Sequence, residues 1–258
     1  MTAAVTEKMT AAGRVLAILD AFSDRHDSLT LSEISRRAGL TLPTAHRLVG
    51  ELSDWGALER QPSGQYTVGL KILELGSLAQ HRLALKSAAY PYLHGLHHAT
   101  RANVHLSVSV GHDVLYLESL KAPGGAEVDS RFGGRWPRHA TATGRVLLAA
   151  ADPYEQGLAL ERPLASYSPF TVTDPYELRQ LLAEIRQRGV AVAYDQIATG
   201  VMAIAAPITD AQGKVIAAAG ITVQKDRFTS QQLIPPVCAT ARNISRELAR
   251  LAYCAACG

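Results

Sequence analysis

Two short stretches of this 258-residue chain hold side chains whose types and spacing could do chemistry. In the first, Thr41, Pro43, Thr44, His46 and Arg47 open a segment in which Ala45, Leu48, Val49 and Leu52 recur at helical spacing. That spacing leaves the polar residues on the opposite face. Arg47 could reach a guanine edge or a phosphate there, and the threonines could bond phosphate or touch a thymine methyl. In the second, Trp136-Pro137-Arg138-His139-Ala140-Thr141-Ala142-Thr143-Gly144 runs into the apolar helical stretch 146–151, so its last residues form a helix N-terminus. Free N–H groups at the positive end of the helix dipole bind anions without any cationic side chain, and the hydroxyls of Thr141 and Thr143 add donors. The plainer readings are a solvated helix face for the first stretch and ordinary capping by Thr141 for the second.

The elements around the first stretch favour contact with nucleic acid. Residues 1–8 read as a mobile tail, and Val15, Leu16, Ile18, Leu19 and Phe22 then mark one apolar helical face. A short helix follows over residues 31–38, Gly39 is free to take positive φ, Thr41 can cap a new helix and Pro43 suits its first turn. Two short helices across such a turn form a helix-turn-helix, whose second helix enters the major groove. Residues 55–60 and 65–68 read as strands around the turn Gln61-Pro62-Ser63-Gly64, which adds a wing flanked by Arg60 and Gln65. The unit spans residues 9–69. Apolar residues on more than one face of 70–86 predict a linker helix that also contributes to a dimer interface.

The remainder, 87–258, reads as an α+β domain. Residues 103–110 alternate strictly, with Val104, Leu106, Val108 and Val110 on one side and His105, Ser107 and Ser109 on the other. Residues 114–118 return, and 202–208 pairs with 215–223 across Asp210-Ala211-Gln212-Gly213. Asp174, Pro175 and Glu177 open a helix that closes at Gly189, and a last helix runs from about Pro236 to Tyr253. Helices around an antiparallel sheet define the class.

Composition narrows the function classes. Hydrophobic residues make up 47% and charged residues 19%, as in a globular chain rather than a disordered one. No uncharged stretch exceeds 14 residues, short of a membrane span, and no apolar leader follows Met1, so the expectation is a cytoplasmic protein without membrane association. The net charge is +1 through Lys86 and +2 after it, so nucleic-acid binding must come from local placement of charge. Neither a G-x-S-x-G elbow nor a phosphate loop is present, which argues against an enzyme. Cys254 and Cys257 have the spacing of half a zinc site, but no matching half accompanies them, and His94, His97 and His98 lack a carboxylate at ligand spacing. No metal or cofactor is expected. Arg131, Arg135 and Arg138 could steer an anion or could be solvated loop charges.

The runs LSEISRRAGLTLPTAHRLVGELSDWGALER and YTVGLKILELG resemble the DNA-binding half of the IclR family of bacterial transcriptional regulators. GGRWPRHATATGRVLLAA and GVMAIAAPITDAQGKVIAAAGITV resemble its effector-binding half. The resemblance implies an N-terminal winged helix, a C-terminal profilin- or GAF-like domain, a homodimer or dimer of dimers, a palindromic operator and control by a small, often carboxylate, metabolite. It places Ala142 and Thr143 where family members bind a ligand carboxylate through the backbone. Val128 and Trp136 become apolar walls, Val201 and Ala203 follow on the strand after Gly200, and Gly220 and Thr222 fall where many members have small hydroxyl residues. Asp195, with Gln196 beside it, falls near an acidic position of the pocket. Ala203 replaces a common cysteine, Gly220 a serine, and Gln196 stands where glutamate is frequent. Fewer polar groups and more room would suit an aromatic or similar carboxylate. A sensing module that has lost DNA binding remains an alternative at this point.

Overall fold

The computed structural model describes residues 9–23, 26–128 and 130–256; the expected tail over 1–8 and Cys257 lie outside them. The chain divides into two compact units, residues 1–80 and 81–258.

In the first unit α1 (Ala11–Leu19), α2 (Leu31–Arg37) and α3 (Leu42–Asp54) bury Ile18, Ile34, Leu48, Val49 and Leu52 in one core with Leu29 and Leu58. The helix boundaries follow from their caps. Thr30 and Glu33 form a reciprocal capping box at α2, and Gly39 takes φ +66° after it. Thr41 does stand at the start of α3, but its hydroxyl bonds the Thr44 hydroxyl at 2.9 Å rather than a backbone N–H. The wing is β2 (Leu58–Arg60) and β3 (Tyr66–Val68), shorter at its start than expected because Trp55-Gly56 close α3. A two-residue strand, β1 (Ser28–Leu29), adds to β3 and has too few residues to show any alternation in sequence.

The expected linker helix over 70–86 is two helices. Here α4 (Leu70–Ser77) ends as Ser77 Oγ donates to Glu74 O at 2.6 Å, while α5 (Gln80–Thr100) starts afresh. Gly76 weakens the helix at that point, and the last turn tightens to Leu78 N donating to Leu75 O at 3.1 Å.

In the second unit a six-stranded antiparallel sheet has the order β6-β5-β4-β9-β8-β7, from β4 (Asn103–Val110), β5 (Asp113–Leu120), β6 (Arg135–Pro137), β7 (Ala191–Tyr194), β8 (Val201–Thr209) and β9 (Val215–Gln224). One face packs Val104, Leu106, Val108 and Ile208 against Ala89, Leu93 and Leu96 of α5, and against Val237 and Ile244 of α9 (Ser230–Ala256). That last helix starts earlier than expected, with Pro235 and Pro236 inside it rather than at its head. The other face carries α6 (Ala142–Ala150), and Leu148 of α6 meets Leu160 of α7 (Pro153–Glu161) and Leu178 and Leu182 of α8 (Pro175–Arg188). Every residue of α6 from Ala142 to Ala149 is buried. A helix covering the second sheet face also explains why His105 and Ser107 are buried although they point away from Val104 and Leu106.

Candidate effector cavity and DNA-reading helix

On the first unit, Thr41, Pro43, His46 and Arg47 are exposed along the start of α3, with Thr44 half-buried among them. Ala45, Leu48 and Val49 anchor that helix from below, so its outer face is free of packing duties. Arg47 pairs with Glu51 one turn on, both solvent-exposed. Arg60 leaves the wing at β2 with its guanidinium 6.0 Å from the Tyr66 ring centroid, and half-buried Gln65 accepts from Ser63 Oγ at 3.3 Å. These residues form a polar surface with donors that suits a phosphate backbone and a groove.

On the second unit, a cleft with about 40 Å³ of open room lies between α6 and the sheet. Val128, Trp136, Thr141, Ala142, Thr143, Val201, Ala203 and Thr222 all line it. At its polar end, Thr141 Oγ1 accepts from Gly144 N at 3.1 Å and donates to Pro137 O at 2.9 Å, so the Thr141 hydroxyl is occupied by capping. The N–H groups of Ala142 and Thr143, the first two of α6, donate to no described residue. Two hydroxyls in the lining, Ser130 Oγ and Thr143 Oγ1, are buried without a hydrogen bond to any described residue. The Tyr116 phenol is near enough to Thr143 to feel it, but burial dominates and holds the phenol protonated. Two free backbone donors and the Thr143 hydroxyl at one helix N-terminus, with the Ser130 hydroxyl elsewhere in the lining, call for an acceptor-rich ligand group.

Residues 78–246 match the profile of the bacterial transcriptional regulator IclR C-terminal domain, and residues 11–62 match that of the IclR helix-turn-helix domain. The chain belongs to the IclR family. It is 30% identical to the HTH-type transcriptional regulator XynR of Escherichia coli K12, across 85% of this chain and 88% of that one. It is also 30% identical to the Pca regulon regulatory protein of Pseudomonas putida, across 93% and 84%. The crystal structure of an IclR homolog from Microbacterium hydrocarbonoxydans, complexed with 4-hydroxybenzoate, superposes with a TM-score of 0.88 at 33% identity, covering 93% of this chain and 99% of that one. Thermotoga maritima IclR gives 0.74 at 26% identity, covering 94% and 100%. The chain is therefore a DNA-binding transcriptional regulator with an IclR effector domain, and its relatives are named regulators rather than enzymes.

Two expected pocket residues of this IclR protein stand outside the lining. Asp195 turns away: its carboxylate accepts from Gly200 N at 2.5 Å and from Lys225 Nζ at 2.7 Å, and that lysine holds its pKa below the ordinary range. It braces the turn between β7 and β8 at φ +55°, while its neighbours Gln196 and Ile197 reach the cavity. Gly220 lies beneath Thr143, where an added Cβ would stand 2.7 Å from Thr143 Cγ2 and 3.0 Å from Ile204 O. Arg138 points elsewhere as well, buried against Glu155 Oε1 at 2.5 Å and Ser109 Oγ at 3.0 Å. His94 packs on Tyr90 and His97 bonds Ala102 O at 2.8 Å, so both have structural partners. No group of three or more metal-ligating side chains occurs among the described residues.

His105, Tyr116 and Ser130 are polar lining residues that sequence reading missed, beside the apolar Ala140, Ala193, Ile197, Ile204 and Ile221. The polar side of the 103–110 alternation was the available signal for His105; Ser130 sits in a loop without periodicity and offered none. His105 bonds Thr222 Oγ1 at 3.1 Å and stacks on Tyr116 with centroids 4.7 Å apart. Burial pushes its pKa from 6.5 down to about 3, so the folded protein holds it neutral. The unfolded chain takes up that proton as pH falls below 6.5, and stability is lost between there and about pH 3. At pH 5 the loss amounts to about 2 kcal/mol relative to pH 7. Urea unfolding at the two pH values should show this drop, and His105→Asn should lack that share of it.

Proposed function

We propose that this regulator reads a palindromic operator through Thr41, Pro43, Thr44, His46 and Arg47 of α3, with Arg60 and Gln65 of the wing on the phosphates. Its operator affinity is set by an aromatic carboxylate held in the α6 cavity. The observation that carries the reading is the pair of N–H groups without a described partner at Ala142 and Thr143, two residues that line a cleft otherwise walled by Val128, Trp136, Val201 and Ala203. The carboxylate takes those donors with the Ser130 and Thr143 hydroxyls, and the ring lies along the apolar wall towards Thr222. Asp195 and Gly220 serve from behind, one bracing the rim and the other making room under Thr143. The similar Microbacterium protein complexed with 4-hydroxybenzoate supports an aromatic acid.

A homodimer, or a dimer of dimers, accounts for the apolar surface of α4 and its C-cap, where Leu70, Leu73 and Leu78 are all about 70% exposed in the single chain. An effector that binds one dimer geometry better shifts the separation of the two recognition helices, and with it operator affinity. No described helix is long and apolar enough to cross a membrane. Isothermal titration of the full chain with benzoate, 4-hydroxybenzoate, pyruvate and glyoxylate tests the ligand class. The aromatic acids should bind the more tightly; binding of the two- and three-carbon acids alone contradicts the reading.

A further inference from the structure

Arg145 is buried to 3% exposure one turn into α6, yet no described residue forms an ion pair with it. Its guanidinium donates to His139 O at 2.6 Å and to Gln196 Oε1, and no described carboxylate lies within ion-pairing distance. Glu177 acts on it only from further away, and burial brings its pKa down to about 10, which still leaves it charged near neutral pH. Asp195, adjacent to Gln196 in the chain, is already taken by Lys225. The amide of Gln196 is itself fully specified: Nε2 donates to Phe170 O at 2.7 Å and Tyr194 O at 3.1 Å, while Oε1 also accepts from Val172 N at 3.0 Å. A carboxylate in its place would set oxygen against two carbonyls. The neutral side chain at 196 therefore has a local reason, and it leaves the guanidinium with neutral acceptors at hydrogen-bond distance.

Gln196 is also part of the cavity wall, and the described lining holds no Lys, Arg, Asp or Glu. His105 is neutral there. A buried cation held by neutral acceptors alone is costly, and an anion placed nearby in the same low-dielectric region relieves that cost. A neutral molecule of the same shape does not.

We propose that Arg145, behind the wall and bonded to Gln196, sets the charge selectivity of the cavity, favouring a carboxylate over its isosteric amide without touching either. This rests on the cavity being the effector site, and it adds the residue that supplies the charge. The helix N-terminus orients the carboxylate; Arg145 provides the unit charge that separates acid from amide.

The test is calorimetric titration of the full chain and its Arg145→Met and Arg145→Lys variants with two matched pairs, benzoate with benzamide and pyruvate with pyruvamide. The wild type should prefer the acid of whichever pair it binds. Arg145→Met should weaken the acid at least about tenfold while moving the amide by no more than about twofold, and Arg145→Lys should keep the preference. A structural brace alone would weaken acid and amide together, leaving their ratio at the wild-type value; that result overturns the proposal. Should Arg145→Met fail to fold, Arg145→Gln, which keeps a donor for His139 O, carries the same comparison. Binding of pyruvate without benzoate contradicts the aromatic reading, and the role of Arg145 is then decided on the pyruvate pair. Binding of neither acid by the wild type overturns both.

Discussion

Gly144→Ala should unfold the effector unit roughly 6–12 °C below the wild type and remove its response to aromatic acids. A Cβ at 144 would stand 2.4 Å from both Cα and O of Arg138 and 2.5 Å from Thr141 Oγ1. Two of those three atoms are backbone, so no side-chain rotation makes space. The Arg138 backbone just after β6 and the first turn of α6 would have to separate, at about 3 kcal/mol, the upper end of ordinary overpacking, with each kcal/mol worth about 2–4 °C in a unit of this size. The same displacement moves the Ala142 and Thr143 N–H groups. Hydrogen bonds to a charged group contribute about 1.5–3 kcal/mol, so the Kd for benzoate should rise at least about tenfold. Thermal unfolding followed by calorimetric titration at a temperature where the variant is folded separates the two effects. A variant with unchanged midpoint and affinity would show that the close approach at Gly144 is dispensable.

Arg47→Ala should leave stability nearly untouched and weaken operator binding by roughly 5–150-fold, the 1–3 kcal/mol expected if it contacts a base edge as proposed. Its side chain is 63% exposed and its partner Glu51 is almost as solvated, so the pair contributes only about 0.3–0.5 kcal/mol to the fold. Adding Thr44→Ala removes the hydroxyl bonded to Thr41 and should deepen the loss on DNA. Mobility shifts at several salt concentrations, beside thermal unfolding of the same proteins, check this. A folded double variant with wild-type promoter occupancy would remove α3 from the interface.

How much was legible in the sequence differs by element, for physical reasons. The helix from Pro175 to Arg188 was read to the residue because its signals are local: an Asp cap, Pro at the first position and Gly at the left-handed end. The strand from Asn103 to Val110 was legible from strict alternation. By contrast β1, β6 and β7 are two to four residues long, too short for any period, and exist through pairing with distant strands. α7 has little apolar patterning and escaped notice, although Asp152 and Pro153 do mark its start.

The same division runs through the site. The start of α6 was legible because Thr141 and the apolar run after it identify a helix N-terminus. Asp195 could not be placed from sequence, since the partner that turns it from the cavity, Lys225, is 30 residues away. Nor could the isolation of Arg145 be seen, because it depends on the carbonyls of Phe170 and Tyr194 specifying an amide at Gln196.

The measurement that tests the account most directly is a pair of affinities taken both ways round: operator Kd with and without saturating aromatic acid, and acid Kd with and without saturating operator. Linkage requires both ratios to be the same number and different from one, on the order of 5–150-fold for ordinary allosteric coupling. An acid that binds the α6 cavity tightly while both ratios stay at one would contradict it.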